Sequence, residues 1–275
     1  MISDPEPFFL YGTAWKEART TQLTLQALEA GFRGIDTANQ RKHYFEAAVG
    51  EGLLIAYDRL NLSRGELWLQ TKFTHQGGQD HRLPYDPKSP ISEQVLSSFE
   101  SSLRHLHTDW IDSYVLHGPS IREGLSDQDW SAWASMEELY LQRRTRALGV
   151  SNVSPKQLKL LLDNCRIKPR YVQNRCYASQ GWDRETRQVC HEHGITYQGF
   201  SLLTANRKVW QSDTLTQLAQ HYHCTPAEII FSFALSRQML PLTGTTNPQH
   251  MESDLRSKAT MLSEQHLTHI EKMIS

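Results

Sequence analysis

Short apolar runs alternate with longer amphipathic segments along the whole chain, and no other feature restricts its fold as much. The runs fall at residues 8–11, 34–36, 67–72, 111–117, 147–151, 171–174, 196–200 and 239–243, each short enough to be a strand. Helix starts lie between them. Ser89-Pro90, Ser154-Pro155, Thr225-Pro226 and Asn247-Pro248 each put a capping oxygen before a proline suited to the first helical position. Thr225 and Glu228 also have capping-box spacing. Val95, Phe99, Leu103 and Leu106 recur at helical period, as do Trp130, Trp133, Met136 and Leu139, and these stripes read as core faces. Alternating strands and helices imply a parallel sheet with right-handed crossovers. Eight such units in 275 residues predict a closed (β/α)8 TIM barrel, one domain over residues 1–275. A doubly wound open sheet is the alternative, but it calls for a glycine-rich phosphate turn, and the chain has no G-x-G-x-x-G.

Charge and cysteine content narrow the function. A formal net charge of −1 offers no electrostatic footprint for nucleic acid or an anionic membrane. No apolar run approaches the ~18 residues of a membrane span. The opening MISDPEPFFLYG lacks a basic start followed by an apolar stretch, so no secretory signal is expected. Cys165, Cys176, Cys190 and Cys224 form no C-x-x-C pair and read as reduced thiols of a cytoplasmic protein. The HEH and HYHC clusters (His191, His193, His221, His223, Cys224) fall near predicted helix C-termini, where the helix dipole favours histidine. They lack a further ligand at matching spacing, so no metal site is expected.

In a barrel of this kind, functional groups sit at the C-terminal ends of the strands. Those ends here carry Asp36, Lys72, His117, Ser151-Asn152 and Gln173-Asn174. Singly, Asp36 or His117 could serve a turn and Lys72 could reach solvent. Together, an acid, a base and a histidine aimed at one mouth make a site that shifts pKa values. The polar, Gly- and Pro-containing stretch 74–89 follows the third strand and reads as a loop, either a lid over the site or plain surface.

The segments around these residues resemble the aldo-keto reductases. GFRGIDTANQRKHYFEAAVGEGL (31–53) is similar to that family's aspartate–tyrosine segment, LWLQTKF (67–73) to its lysine strand, and IDSYVLHGP (111–119) to its histidine strand. ALGVSNV and RYVQNRCY resemble its nicotinamide-carboxamide segments, GTTNPQHMESDL its adenosine-phosphate segment, and GTAWK its first-strand loop. The resemblance implies NAD(P)H-dependent reduction of a small aldehyde or ketone by Asp36, Tyr44, Lys72 and His117, with Tyr44 as general acid. It implies a cofactor site for NADP (NADPH), or else NAD, made of Gly12, Thr13, Ser151, Asn152, Gln173, Phe200, Ser201, Leu203, Arg207, Gly244, Thr245, Thr246, His250 and Asp254. Trp15 and His117 would face the substrate. The chemistry agrees: a phenol is a poor acid near pH 7, and a neighbouring ammonium eases its proton release.

The chain also departs from the family. Tyr44 lies eight positions after Asp36, a longer gap than usual, so His43 beside it competes for the inward position. Few residues precede the first strand or follow the last helix, so neither the family's hairpin plug nor its long C-terminal loop is expected. Gly244 and His250 stand where a lysine and an arginine often grip the extra phosphate of NADP, and Asp254 stands where asparagine is common. Arg207 and Lys208 are alternative sources of charge, and a weaker than usual preference for NADP over NAD is expected. The competing functional reading is a nicotinamide-binding barrel of low turnover, acting as a redox sensor or partner subunit.

Overall fold

Local capping chemistry sets most element boundaries. Ser154 and Thr225 accept from the backbone amides of Gln157 and Glu228, three residues on, and each is followed by proline at the first helical turn. Asn247 accepts from the Gln249 amide, two residues on, and is likewise followed by proline. At Ser89-Pro90 the expectation fails. Pro90 is itself the cap residue (φ −52°, ψ 149°), and no side chain caps the helix that starts at Ile91.

In the computed structural model, which describes residues 6–273, eight parallel strands close into a barrel in chain order. They are β1 Leu10–Gly12, β2 Gly34–Asp36, β3 Trp68–Phe73, β4 Ser113–Leu116, β5 Leu148–Ser151, β6 Tyr171–Arg175, β7 Thr196–Phe200 and β8 Met239–Thr243. The helices are α1 Thr20–Ala30, α2 Glu46–Arg59, α3 Ile91–His105, α4 Asp127–Leu141, α5 Pro155–Asn164, α6 Arg184–Glu192, α7 Arg207–Trp210, α8 Asp213–His221, α9 Pro226–Ser236, α10 Pro248–Arg256 and α11 Glu264–Lys272. Closure comes from β1 pairing with β8, Leu10 opposite Leu242 and Tyr11 opposite Thr243.

Strand bounds shift by a residue or two from the sequence reading. β1 starts at Leu10 rather than residue 8, because pairing begins only where Leu10 meets Gly34 and Leu242. Ile111 makes only an isolated bridge with Thr145, so β4 starts at Ser113. The first five residues, on which the secretory-signal reading rests, lie outside the described residues.

Side chains alternate across each strand, so every second residue points into the barrel. At the N-terminal pole Leu10, Trp68, Tyr171 and Leu240 pack together, with Glu6 accepting from the Tyr171 hydroxyl at 2.8 Å. Two residues further along β2, β3, β6 and β7 the interior turns polar, with Asp36, Gln70, Gln173 and Gln198 all buried. The helices cover the outside. Val95, Phe99 and Leu103 of α3 and Trp133, Met136 and Leu139 of α4 are buried in the main core, as their period predicted, and Trp130 is partly buried against it. No described helix is long and apolar enough to cross a membrane.

Candidate active site

Strand register converts sequence position into depth. Asp36 ends β2 opposite Gln70, and Lys72, two residues further along β3, pairs in register with Val115 of β4. Lys72 Nζ donates to Asp36 Oδ1 at 2.7 Å and to the Thr37 carbonyl at 2.8 Å, and its side chain is completely buried. Burial pulls the ammonium below the ordinary lysine range, and the Asp36 carboxylate opposes that shift. The same Oδ1 accepts from Gln70 Nε2 at 2.7 Å and Gln173 Nε2 at 3.0 Å. Gln198 Oε1 accepts from both amides, and Gln198 Nε2 donates to Gln70 Oε1 at 3.1 Å. Three buried amides thus fix a buried ion pair, which would be costly without such partners.

Tyr44 lies in the turn between β2 and α2. The extra residues between Asp36 and Tyr44 are taken up locally, where the backbone amides of His43 and Tyr44 both donate to the Gln40 carbonyl. The Tyr44 ring is centred 5.2 Å from Lys72 Nζ and 5.9 Å from the His117 ring. His43 instead stacks on Trp15 at 4.0 Å, at the rim. Trp15 is 69% exposed and adopts φ 62°, so strained backbone holds an apolar ring out at the mouth. Burial and the Asp36 charge hold the Tyr44 phenol well above the ordinary tyrosine range. His117, just past β4, is pushed down to about 3 by burial and by the Lys72 charge, so its imidazole is neutral near pH 7.

One cavity of about 840 Å³ runs from these groups to the loop after β8. Asp36, Tyr44 and His117 line one end of it, and Ser151, Asn152 and Gln173 follow. Asn152 Nδ2 donates to the His117 carbonyl at 2.8 Å, from a left-handed backbone (φ 52°) that asparagine tolerates. The hydrogens of Gln173 Nε2 are spent on Asp36 and Gln198, which leaves its Oε1 as an acceptor. Phe200, Ser201 and Leu203 form the wall, and Gly244, Thr245, His250 and Asp254 the far end. The cavity is long, with amide and hydroxyl groups at one end, an aromatic wall and a helix N-terminus beyond, which fits a dinucleotide.

Four residues of the sequence reading stand elsewhere. Lys72 lies behind the cavity wall, fully buried. Thr13 is buried with its hydroxyl on the Asp36 carbonyl at 3.0 Å. Arg207 opens α7 on the surface and Thr246 is exposed, and neither lines the cavity. Nor does any residue of 74–89. That loop packs inward: Tyr85 donates to the Thr74 carbonyl and Gln79 Nε2 to the Asn39 carbonyl.

Sequence reasoning missed Lys16. Its ammonium crosses from the loop after β1 to bond the Gly244 carbonyl, and it is 7% exposed and lines the cavity. A β-carbon at residue 244 would come within 3.3 Å of that ammonium. Burial lowers Lys16 to about 8. A lysine after GTAW was visible in the sequence, but nothing there showed that it reaches across to β8. Asp254, 3% exposed, is raised to about 7 by burial.

The aldo/keto reductase family model matches residues 11–275. The 9,11-endoperoxide prostaglandin H2 reductase of Trypanosoma cruzi is 25% identical over 260 residues, 93% of this chain and 83% of its own. The glyoxal reductase of Bacillus subtilis is 28% identical over 222 residues, 81% of this chain and 71% of its own. An aldo-keto reductase of Bombyx mori, solved in complex with NADP, shares the fold with a TM-score of 0.80 at 23% identity, over 97% of this chain and 89% of that one.

Proposed function

The chain belongs to the aldo/keto reductase family, and from that premise we propose that it reduces a small aldehyde or ketone to the alcohol with NADPH, Tyr44 giving the proton. The observation that carries this reading is the meeting of Tyr44, Lys72, Asp36 and His117 at one end of a cavity long enough for a dinucleotide. Ser151, Asn152 and the free Oε1 of Gln173 would hold the carboxamide, and Phe200 would lie against the ring. When bound, the reduced nicotinamide supplies a hydride to the carbonyl carbon.

The chain's own groups handle the oxygen. A carbonyl oxygen that gains charge becomes a far stronger base than the carbonyl, so it can take a proton even from a phenol raised by burial. Lys72, beside the Tyr44 ring, stabilises the phenolate left behind, and Asp36 with its amides keeps Lys72 charged and placed. Neutral His117 donates to the same oxygen and fixes its direction. Lys16, at the far end, supplies the cation for the phosphates that Gly244 does not.

Purified protein should consume NADPH in the presence of simple aldehydes, glyoxal included, and quench its tryptophan fluorescence on binding NADPH. Binding without turnover would favour the sensor or partner-subunit reading. Absence of dinucleotide binding would overturn the proposal altogether.

A further inference from the structure

A neutral imidazole carries one N–H, and which nitrogen holds it decides whether His117 can donate into the cavity at all. The His117 backbone is fixed, its amide donating to the Phe73 carbonyl at 2.9 Å and its carbonyl accepting from Asn152. The ring has one side-chain hydrogen bond among the described residues, between Nδ1 and Thr74 Oγ1 at 2.7 Å.

Thr74 has little freedom. It is β-branched, so placing one branch places the other. Its γ-methyl lies 2.7 Å from where a β-carbon at residue 78 would stand, so Gly78 leaves the methyl its seat and turns the hydroxyl toward His117. The loop holds that arrangement: Tyr85 donates to the Thr74 carbonyl at 2.7 Å, the Gly78 amide to the His75 carbonyl at 2.9 Å, and Gln40 Nε2 to the Gly78 carbonyl at 2.7 Å.

The hydroxyl then has two options. If Nδ1 carried the proton, the hydroxyl would accept, and its own hydrogen would need another acceptor; among the described residues Thr74 Oγ1 has none besides His117. If the hydroxyl donates to Nδ1, every group at the contact is satisfied and the proton sits on Nε2. We propose that Thr74 is a positioning residue whose hydroxyl donates to His117 Nδ1, so that the imidazole presents Nε2–H to the substrate oxygen beside Tyr44. The loop 74–89 serves to hold that hydroxyl. The value of this tautomer for turnover rests on the reductase reading of the site; the tautomer itself does not.

The test is a long-range ¹H–¹⁵N spectrum of the full chain near neutral pH, with the His117 signals assigned through their loss in His117→Ala. The parent should show the Nε2–H form. Thr74→Val, which keeps the shape and removes the donor, should lose that bias, and Thr74→Ser should restore it. With an aldehyde that the parent reduces, Thr74→Val should lower kcat/KM roughly tenfold to a hundredfold while the Kd for NADPH stays within about twofold. An Nδ1–H form in the parent, or an unchanged Nε2–H form in Thr74→Val, overturns the proposal. Both readings come from the spectrum and hold even if no aldehyde is reduced.

Discussion

At the β2–β4 end of the cavity the charged groups form a closed set, with Lys72 and Asp36 both buried and every glutamine amide nitrogen around them engaged. At the β8 end Gly244, Thr246, Asn247 and His250 are exposed, and the cation there comes from the loop after the neighbouring strand β1, from Lys16. The contrast suits what the proposed function asks of each end. A proton donor needs surroundings that do not reorganise, and low dielectric magnifies each fixed charge. An anion captured from water needs only a cation within reach, and cations on neighbouring loops can substitute for one another. The first end should therefore tolerate almost no change, and the second should be adjustable.

The largest effect should come from the fixed end. Tyr44→Phe removes the proposed proton donor while leaving the ring between Lys72 and His117, so kcat should fall by a factor on the order of 10²–10⁴ with the Kd for NADPH near that of the parent. His43→Ala, at the rim, should retain most activity. Full activity in Tyr44→Phe together with an inactive His43→Ala would reverse the assignment.

The second effect is on stability. Asp36→Asn leaves a buried Lys72 without its counterion, a loss of roughly 3–5 kcal/mol in urea unfolding. Adding Lys72→Met should recover part of that loss, because no buried charge then remains unpaired. Equal unfolding midpoints for parent and Asp36→Asn would mean that this end is not electrostatically closed.

These two ends also differ in how far they could be read from sequence. Asp36, Lys72, His117 and Ser151-Asn152 stand at the ends of recognisable apolar strands, where period and turn chemistry place them without knowledge of the rest of the molecule. Tyr44 was legible in spite of its longer gap, since an inserted turn is absorbed locally. Gln70 and Gln198 were not, because a glutamine inside a strand looks the same whether it faces a helix or a buried carboxylate. Thr74 was hidden inside a stretch whose composition says only that it is a loop. Lys16 was illegible for a different reason: its partner is 228 positions away, and only barrel closure brings β1 beside β8.

The adjustable end offers the third test. Lys16→Met should raise the Kd for NADPH by about tenfold to a hundredfold and that for NADH by much less, in line with loss of a charge-assisted contact worth about 1.5–3 kcal/mol. Gly244→Lys should help little in the parent, because its side chain starts 3.3 Å from the Lys16 ammonium. In the Lys16→Met background the same change should recover much of the lost affinity. Additive effects of the two substitutions would show that they do not share one position in space.

The smallest effect concerns Asp254, a carboxyl at the adjustable end that is buried about as deeply as Asp36 at the other. Burial holds its proton up to about 7, against 3.8 for the free group. Between those values the unfolded chain has released the proton and the folded one has not, so stability falls as pH rises through the interval. A shift of that size corresponds to at most about 4 kcal/mol. The cavity admits water to the carboxyl, which brings the expected loss nearer about 1–2 kcal/mol. Asp254→Asn removes the ionisation, so its unfolding free energy should gain on the parent's as pH is raised from about 4 to about 7. Groups elsewhere titrate alike in both proteins and cancel in the difference. The same carboxylate, once formed, faces the proposed phosphate end of the cavity and should weaken NADPH more than NADH above pH 7, a trend that Asp254→Asn should flatten. Parallel stability curves, with parallel cofactor affinities, would mean that Asp254 is already ionised in the folded protein and that its burial costs nothing measurable.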